Sequence, residues 1–295
     1  MNNQNTKFSI LSQIKQKAFQ CGISSNEVNF AKSLVDNKNK DPDVFVCEGL
    51  WAANKLIDNN FEVLMFLFNG ENLENQNDQN LKLILKMANY AKQNFSLSQK
   101  ACKKISDRDG FDEFFIIAKL KTYTTKTIEN AIKGKTNILA MVMDGLEQPG
   151  NIGAILRSFD CAGGDFAIIT NKQAKLTNSR LVRASLGASF LVPCLELNIN
   201  EAQSWLQENN FKCVVTDLQA TKSFKNEDYG GRIAIVAGNE HTGISPSWRS
   251  LKNSQSVIIP MLGSCESLNV GFASTLVAYE AGLKKFSSGK TKLKF

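Results

Sequence analysis

The sequence predicts an α/β protein in two parts, a C-terminal domain built on a parallel sheet and a smaller N-terminal α/β domain. Three observations support this. From residue 137 onward, short apolar runs alternate with helical stretches, which is the rhythm of strand–helix–strand units. Several runs, "NILAMVMD", "FAIIT" and "RIAIVAG", are continuously apolar, as strands covered on both faces read. Between the halves, "KTYTTKTIENAIKGK" (Lys121 to Lys135) is polar and rich in threonine and lysine. It reads as a linker merging into a short helix, and divides the chain into residues 1–125 and 126–295.

In the first part, "FSILSQIKQKAF" has apolar residues at helical spacing. "DVFVCEGLWAANKLIDNN" reads as a strand, Val44 to Cys47, running into a helix. "EVLMFLFN" is a second strand, "NLKLILKMANYAKQN" an amphipathic helix, and "DEFFIIAKL" a third strand. The segment Asn69 to Asn80, "NGENLENQNDQN", reads as a solvated loop. In the second part, "NIGAILRSFDCAG" is a helix with Gly163–Gly164 as its stop. "SRLVRASLGA" and "EAQSWLQENN" are helices, "FKCVVTD" and "SVIIPM" strands, and "SLNVGFASTLVAYEAGLKK" the closing helix.

Composition narrows the class. The 295 residues are 43% hydrophobic and 21% charged, ordinary values for a globular chain. The net charge of +7 favours polyanionic partners. Seven cysteines with no C-x-x-C pair read as free thiols of a reducing compartment. With one histidine and no cysteine pair at ligand spacing, no metal site is expected. No run approaches the ~20 apolar residues of a membrane span, and the N-terminus lacks an apolar signal core. A soluble, cytoplasmic protein is expected.

Three loops follow predicted strands and carry the polar residues that the strands lack. In "DGLEQPGNIGAILRS", Asn151 is a cap candidate for the next helix and Arg157 lies six residues further on. In "IAIVAGNEHTGIS", the spacing nearly matches the phosphate loop G-x-x-x-x-G-K-S/T, but Ile244 stands where the lysine must be, so an NTPase is excluded. No G-x-G-x-x-G follows the first strand, which leaves a dinucleotide fold without support. In "SVIIPMLGSCESLNVGFASTLVAYE", Ser267 is an N-cap candidate and Asn269 follows it. In open α/β sheets, ligands bind at the carboxyl edge, where these loops gather.

N-I-G-A-I-L-R (Asn151 to Arg157), G-N-E-H-T-G (Gly238 to Gly243) and I-P-M-L-G-S-C-E-S-L-N-V (Ile259 to Val270) resemble, in order, the three motifs of the SpoU-type, TrmH-like RNA 2′-O-methyltransferases of the SPOUT superfamily. "VRASLGA" (Val182 to Ala188) is similar to a further segment of these enzymes. "FVCEGLWAANKLI" (Phe45 to Ile57) resembles their substrate-binding domain, which itself resembles a ribosomal-protein RNA-binding fold. The resemblance implies a trefoil knot in the C-terminal domain and a homodimer with its active site near the subunit interface. It also implies S-adenosyl-L-methionine as donor and a ribose 2′-hydroxyl of rRNA or tRNA as acceptor.

Residue by residue, the resemblance makes Arg157 the central catalytic group. It would act either as the base that removes the 2′-hydroxyl proton or as a cation that grips phosphate and the developing alkoxide. A guanidinium is almost always protonated. Asn151 would hold the ribose or Arg157. Glu240 would orient Arg157 or bind the nucleotide, while Ser267 and Asn269 would fix that arginine and the cofactor loop. Thr216, Gly238, Ile259, Met261 and Leu268 would bind the cofactor, and Arg183 an RNA phosphate. Two departures touch substrate choice: Gln148 stands where many relatives carry an acid, and His241 where glycine is common. The competing readings are a non-catalytic RNA-binding protein with the same fold and a base-nitrogen methyltransferase. The S-L-N of the third motif favours ribose.

Overall fold

The computed structural model describes residues 2–106 and 113–287. The chain divides into two compact units. One comprises Met1–Lys121 with Thr177–Gly187, the other Thr122–Leu176 with Ala188–Phe295.

The first unit begins with helix α1 (Asn2–Lys17) and strand β1 (Phe19–Cys21), followed by α2 (Asn26–Val35) and β2 (Val44–Glu48). Then come α3 (Ala53–Asp58), β3 (Val63–Asn69), α4 (Asp78–Tyr90), β4 (Gln93–Leu97), α5 (Gln99–Ile105) and β5 (Phe114–Lys119). The strands lie in the order β1-β4-β3-β5-β2, with β5 antiparallel to both neighbours. Helix α4 forms because Asn77 caps it, accepting from the Asn80 amide, and because Leu81, Ile84, Met87 and Ala88 bury one stripe. Its start at Asp78, and the buried Leu73 in a 3-10 turn before it, shorten the loop expected over Asn69 to Asn80.

Strands β1 and β4 and helices α2 and α5 are absent from the sequence reading. β4 is "QNFSL", whose Asn94 and Ser96 are buried yet polar. The Asn94 amide donates to the Ala88 carbonyl at 2.9 Å, so a polar run enters the sheet with its donor satisfied. The third expected strand keeps its core as β5, while Asp112, its first residue, lies outside the described residues.

The second unit holds α6 (Thr125–Ile132), β6 (Ile138–Asp144), α7 (Pro149–Cys161) and β7 (Phe166–Thr170). The short helix α8 (Ser179–Ser185) groups with the first unit. The chain returns to the second through α9 (Ala188–Leu191), β8 (Cys194–Glu196), α10 (Ile199–Glu208), β9 (Lys212–Thr216) and β10 (Arg232–Ala237). It ends in α11 (Pro246–Arg249), β11 (Ser254–Val257) and α12 (Val270–Ser287).

The sheet order is β11-β9-β10-β6-β7-β8, and every pair is parallel. Val142 of central β6 stands between Val236 of β10 and Ile168 of β7. Both faces are covered, so all seven residues of β6 are buried. On one face, Ile128, Ile132, Trp205, Phe211 and Trp248 pack against the strands. Helix α10 starts on a capping box between Asn198 and Glu201.

Strand β11 starts two residues before the expected "SVIIPM" and ends four residues short of its end. Beyond Val257 the chain leaves β9, since the Ile258 amide donates to the Lys222 carbonyl at 2.9 Å and its carbonyl accepts from Phe224. Apolarity marked Ile258 and Ile259 as strand, but the backbone pairing had moved to another segment.

Candidate active site

Three loops of the second unit follow β6, β10 and β11, whose carboxyl ends share one sheet edge. The loop after β6 turns at Gly145, whose φ of +67° suits glycine. Asp144 is buried just before it and accepts from the Thr170 hydroxyl at 2.9 Å, the Asn171 amide at 2.8 Å and the Ser245 backbone at 3.3 Å. One carboxylate thus ties the ends of β6 and β7 to the segment after the second loop.

The second loop is pinned by Asn239. Its side chain donates to the Gly145 carbonyl at 2.7 Å and accepts from the His241 and Thr242 amides at 2.8 and 2.9 Å. Backbone bonds between Asn239 and Gly243 close the turn. A Cβ on Gly238 would come within 2.5 Å of the Gly243 and Ile244 backbone. Glycine at 238 therefore serves the closure of its own loop. Sequence reading missed Asn239 and Asp144 as site residues; their signal is a polar side chain directly at or after a strand end.

Glu240 joins the second loop to the first. Its carboxylate accepts from the Asn151 side chain at 2.9 Å and from the Glu147 and Gln148 amides at 3.1 and 3.2 Å. Burial pushes its pKa up, but the bonds from Asn151 and these amides prevail and hold it below the ordinary carboxylate value. Asn151 in turn accepts from the Asn269 side chain at 3.2 Å, and Asn269 accepts from the Gly271 amide at 2.9 Å. Glu240, Asn151 and Asn269 so form one hydrogen-bonded chain across all three motifs.

Two capping expectations are corrected. Helix α7 starts at Pro149, so Asn151 lies within its first turn and its amide reaches Glu240 instead. Helix α12 starts at Val270, three residues after Ser267, and its cap is Asn269. Ser267 is exposed in the preceding loop.

Beside this chain opens a cleft of about 530 Å³. Thr216, Gly238, Ile259, Met261 and Leu268 all line it, together with Glu240, Ser267 and Asn269. The Thr216 hydroxyl donates to the Val236 carbonyl at 3.0 Å, which fixes that wall to β10. The lining is mixed: Val257, Ile259, Met261 and Leu268 are apolar, while Asp217 and Arg249 form an ion pair.

Arg157 is placed elsewhere on α7. It is exposed, and among the described residues it has no hydrogen-bond or ion-pair partner. Six residues past Asn151, it is rotated about 240° around the helix. It shares the exposed face of α7 with Ala154 and Cys161. Helix α12 packs alongside, joined by Thr275 donating to the Ser158 hydroxyl at 2.7 Å. Its outer face exposes Phe272, Leu276, Tyr279 and Leu283.

Arg183 belongs to the first unit, on α8. Its guanidinium lies 3.3 Å from Glu48, a nearly buried carboxylate that also accepts from Ser106 at 2.7 Å. All seven cysteines are free, and no metal-binding cluster occurs among the described residues. No described helix is long and apolar enough to cross a membrane.

The sequence pattern of the SpoU rRNA methylase family matches residues 138–279, a span that holds all three loops. Over these residues, about half of the chain, the sequence is similar to the SpoU rRNA methylase family. Over 163 residues it is 31% identical to the 23S rRNA (uridine(2479)-2′-O)-methyltransferase of Streptomyces viridochromogenes, covering 53% of this chain and 56% of that one. The chain spans 56–64% of the length of the first curated relatives that it matches.

Among solved structures, the AdoMet-bound rRNA methyltransferase from Sinorhizobium meliloti superimposes with a TM-score of 0.78 at 20% identity, over 90% of this chain and 97% of that one. An RNA 2′-O ribose methyltransferase superimposes at 0.74 with 25% identity, over 91% of this chain and 100% of that one. The fold is thus the one seen in these two methyltransferases.

Proposed function

We propose that this chain transfers a methyl group from S-adenosyl-L-methionine to a ribose 2′-hydroxyl in structured RNA, rRNA or tRNA, in the cytoplasm. The observation that carries this reading is the Glu240–Asn151–Asn269 chain, which joins the three family motifs beside a cleft. Similarity to the SpoU rRNA methylase family and the activities of the named relatives support it.

The cleft suits the donor. Its size falls within the ~300–1,000 Å³ usual for small-molecule sites, and its wall offers apolar side chains as well as paired charges. Ile259, Met261 and Leu268 would pack on the adenine ring, with Thr216 and Gly238 on the neighbouring wall. When bound, S-adenosylmethionine supplies a methyl on a sulfonium, which needs no further leaving-group activation. What remains for the protein is to hold the acceptor oxygen in line.

Glu240 acts as a positioning group, since its carboxylate binds the start of α7 and Asn151. Asn151 and Asn269 set the relation of the first and third loops, and Ser267 stands exposed for contact with RNA or donor. Arg157 stays cationic, as an exposed guanidinium does. In this role it grips the phosphate next to the acceptor and stabilises the developing alkoxide, while the hydroxyl proton leaves to phosphate or water.

The exposed stripe of α12 supports a homodimer. A second copy on this face would cover Phe272, Leu276, Tyr279 and Leu283 and enclose Arg157 in a site shared by two chains. The trefoil knot implied by the resemblance is part of the same reading. Arg183 remains a candidate phosphate ligand through its exposed edge, as does the first unit for RNA binding.

The test is Arg157→Ala. Transfer of tritiated methyl groups to total RNA should fall about a hundredfold or more, while calorimetry shows donor binding intact. Nuclease digestion and mass spectrometry should place the label in 2′-O-methylnucleosides. Label in a base would refute the ribose acceptor, and RNA binding without any label would favour a non-catalytic protein. Full activity in the variant would remove Arg157 from the mechanism.

A further inference from the structure

We propose that Asp217 and Arg249 bind the amino-acid end of the donor, Arg249 gripping its carboxylate and Asp217 its ammonium. This rests on the donor reading of the cleft, and neither residue belongs to the three motifs.

Asp217 directly follows β9, and Arg249 ends the short helix α11. Both line the cleft that holds Thr216, Gly238 and Ile259. Arg249 Nε lies 2.6 Å from one Asp217 oxygen and Nη2 lies 3.2 Å from the other, so the fork is bidentate. The Asp217 side chain is only 6% exposed, whereas that of Arg249 is 36% exposed. A carboxylate this buried requires its cation.

The pair leaves binding capacity over. A guanidinium carries five N–H donors, and the bonds to Asp217 engage Nε and Nη2. Among the described residues, Nη1 has no partner. Asp217 Oδ1 also accepts from the Gln219 amide at 3.1 Å, which fixes the carboxylate at the cleft wall. Burial raises the Asp217 pKa, but the bonds from Arg249 and Gln219 outweigh it, so the group is a carboxylate at neutral pH. A fixed anion beside a cation with free donors matches an α-amino acid, which presents both charges on one carbon. The apolar residues Val257, Ile259 and Met261 match the adenosine on the same ligand. A strut holding α11 to β9 would not need to face the cleft.

Calorimetric titration tests this with three ligands: S-adenosylmethionine, its decarboxylated form, and 5′-methylthioadenosine, which lacks the amino-acid end. The wild-type chain should bind the decarboxylated form about tenfold more weakly than the full donor, the loss expected for one charge-assisted pair. Arg249→Leu should weaken the full donor by about the same factor and leave methylthioadenosine unchanged. Asp217→Asn should likewise weaken the full donor selectively, and Arg249→Lys should restore part of the preference. Equal binding of both donors by the wild type would overturn the proposal. So would a parallel loss of methylthioadenosine in the variants, which would mark the pair as a strut. If the wild type bound none of the three, the donor reading of the cleft would itself fail, a different outcome from equal binding.

Discussion

Glu240 holds the start of one helix and one side chain of that helix with a single carboxylate. Replacing it with glutamine keeps the shape and removes the charge, so Glu240→Gln should destabilise the fold by about 1–3 kcal/mol in urea unfolding at pH 7. The folded carboxyl titrates below its ordinary value. Its contribution is therefore fully present above the unfolded value of about 4.3 and is lost as pH falls through the folded value. The stability gap between wild type and Glu240→Gln should accordingly shrink below about pH 4; a gap unchanged at acid pH would contradict the assigned bonds. Arg157 behaves oppositely. Exposed and without a partner among the described residues, its replacement by alanine should leave stability within about 0.5 kcal/mol, so the activity loss predicted for Arg157→Ala should be separable from folding. At this scale the sequence showed which residue types gather in the loops. It did not show that Asn151 serves Glu240 rather than its own helix end, because side-chain partners 89 positions apart are set by strand order.

Helix α12 has two sides. Its inner side carries Lys285, nearly buried and ion-paired to the buried Asp165, whose oxygen also accepts from the Leu139 amide. Lys285→Met would leave that carboxylate buried without its cation, and should lower unfolding stability by about 3–5 kcal/mol. Gly282 meets the Ala162 carbonyl so closely that an added Cβ would lie 2.1 Å from it. The outer side exposes Phe272, Leu276, Tyr279 and Leu283 at helical spacing. If a second copy covers this stripe, Leu276→Glu should convert the dimer to monomer in light scattering; an unchanged mass would place any dimer interface elsewhere. Long apolar elements were legible from period alone. Short polar ones were not: β4 reads as loop because Asn94 and Ser96 are polar, and only the carbonyl of Ala88 makes Asn94 tolerable inside. The shift of β11 has a similar cause, since apolarity marks burial and does not say which backbone will pair.

The molecule as a whole combines a net charge of +7 with a parallel-sheet unit that carries the cleft and a mixed-sheet unit that carries Arg183. If the partner is RNA, its affinity should fall linearly on a log–log plot as salt rises. Each Lys/Arg→Ala change in the first unit that leaves a phosphate without its cation should then reduce the slope by about one; a flat response in filter binding would oppose a phosphate-driven interface. The similarity to the SpoU rRNA methylases was visible in three short motifs, each of them following the carboxyl end of a strand. What the amino acids determined alone was the α/β class, the runs that become central strands and the three motif loops, since burial and period are local properties of a chain. Tertiary structure decided that Glu240, Asn151 and Asn269 meet, that Arg157 faces away from them within one chain, and that Thr177–Gly187 groups with the first unit. Those outcomes depend on which strands lie side by side and how helices turn between them, which is a property of the assembled sheet.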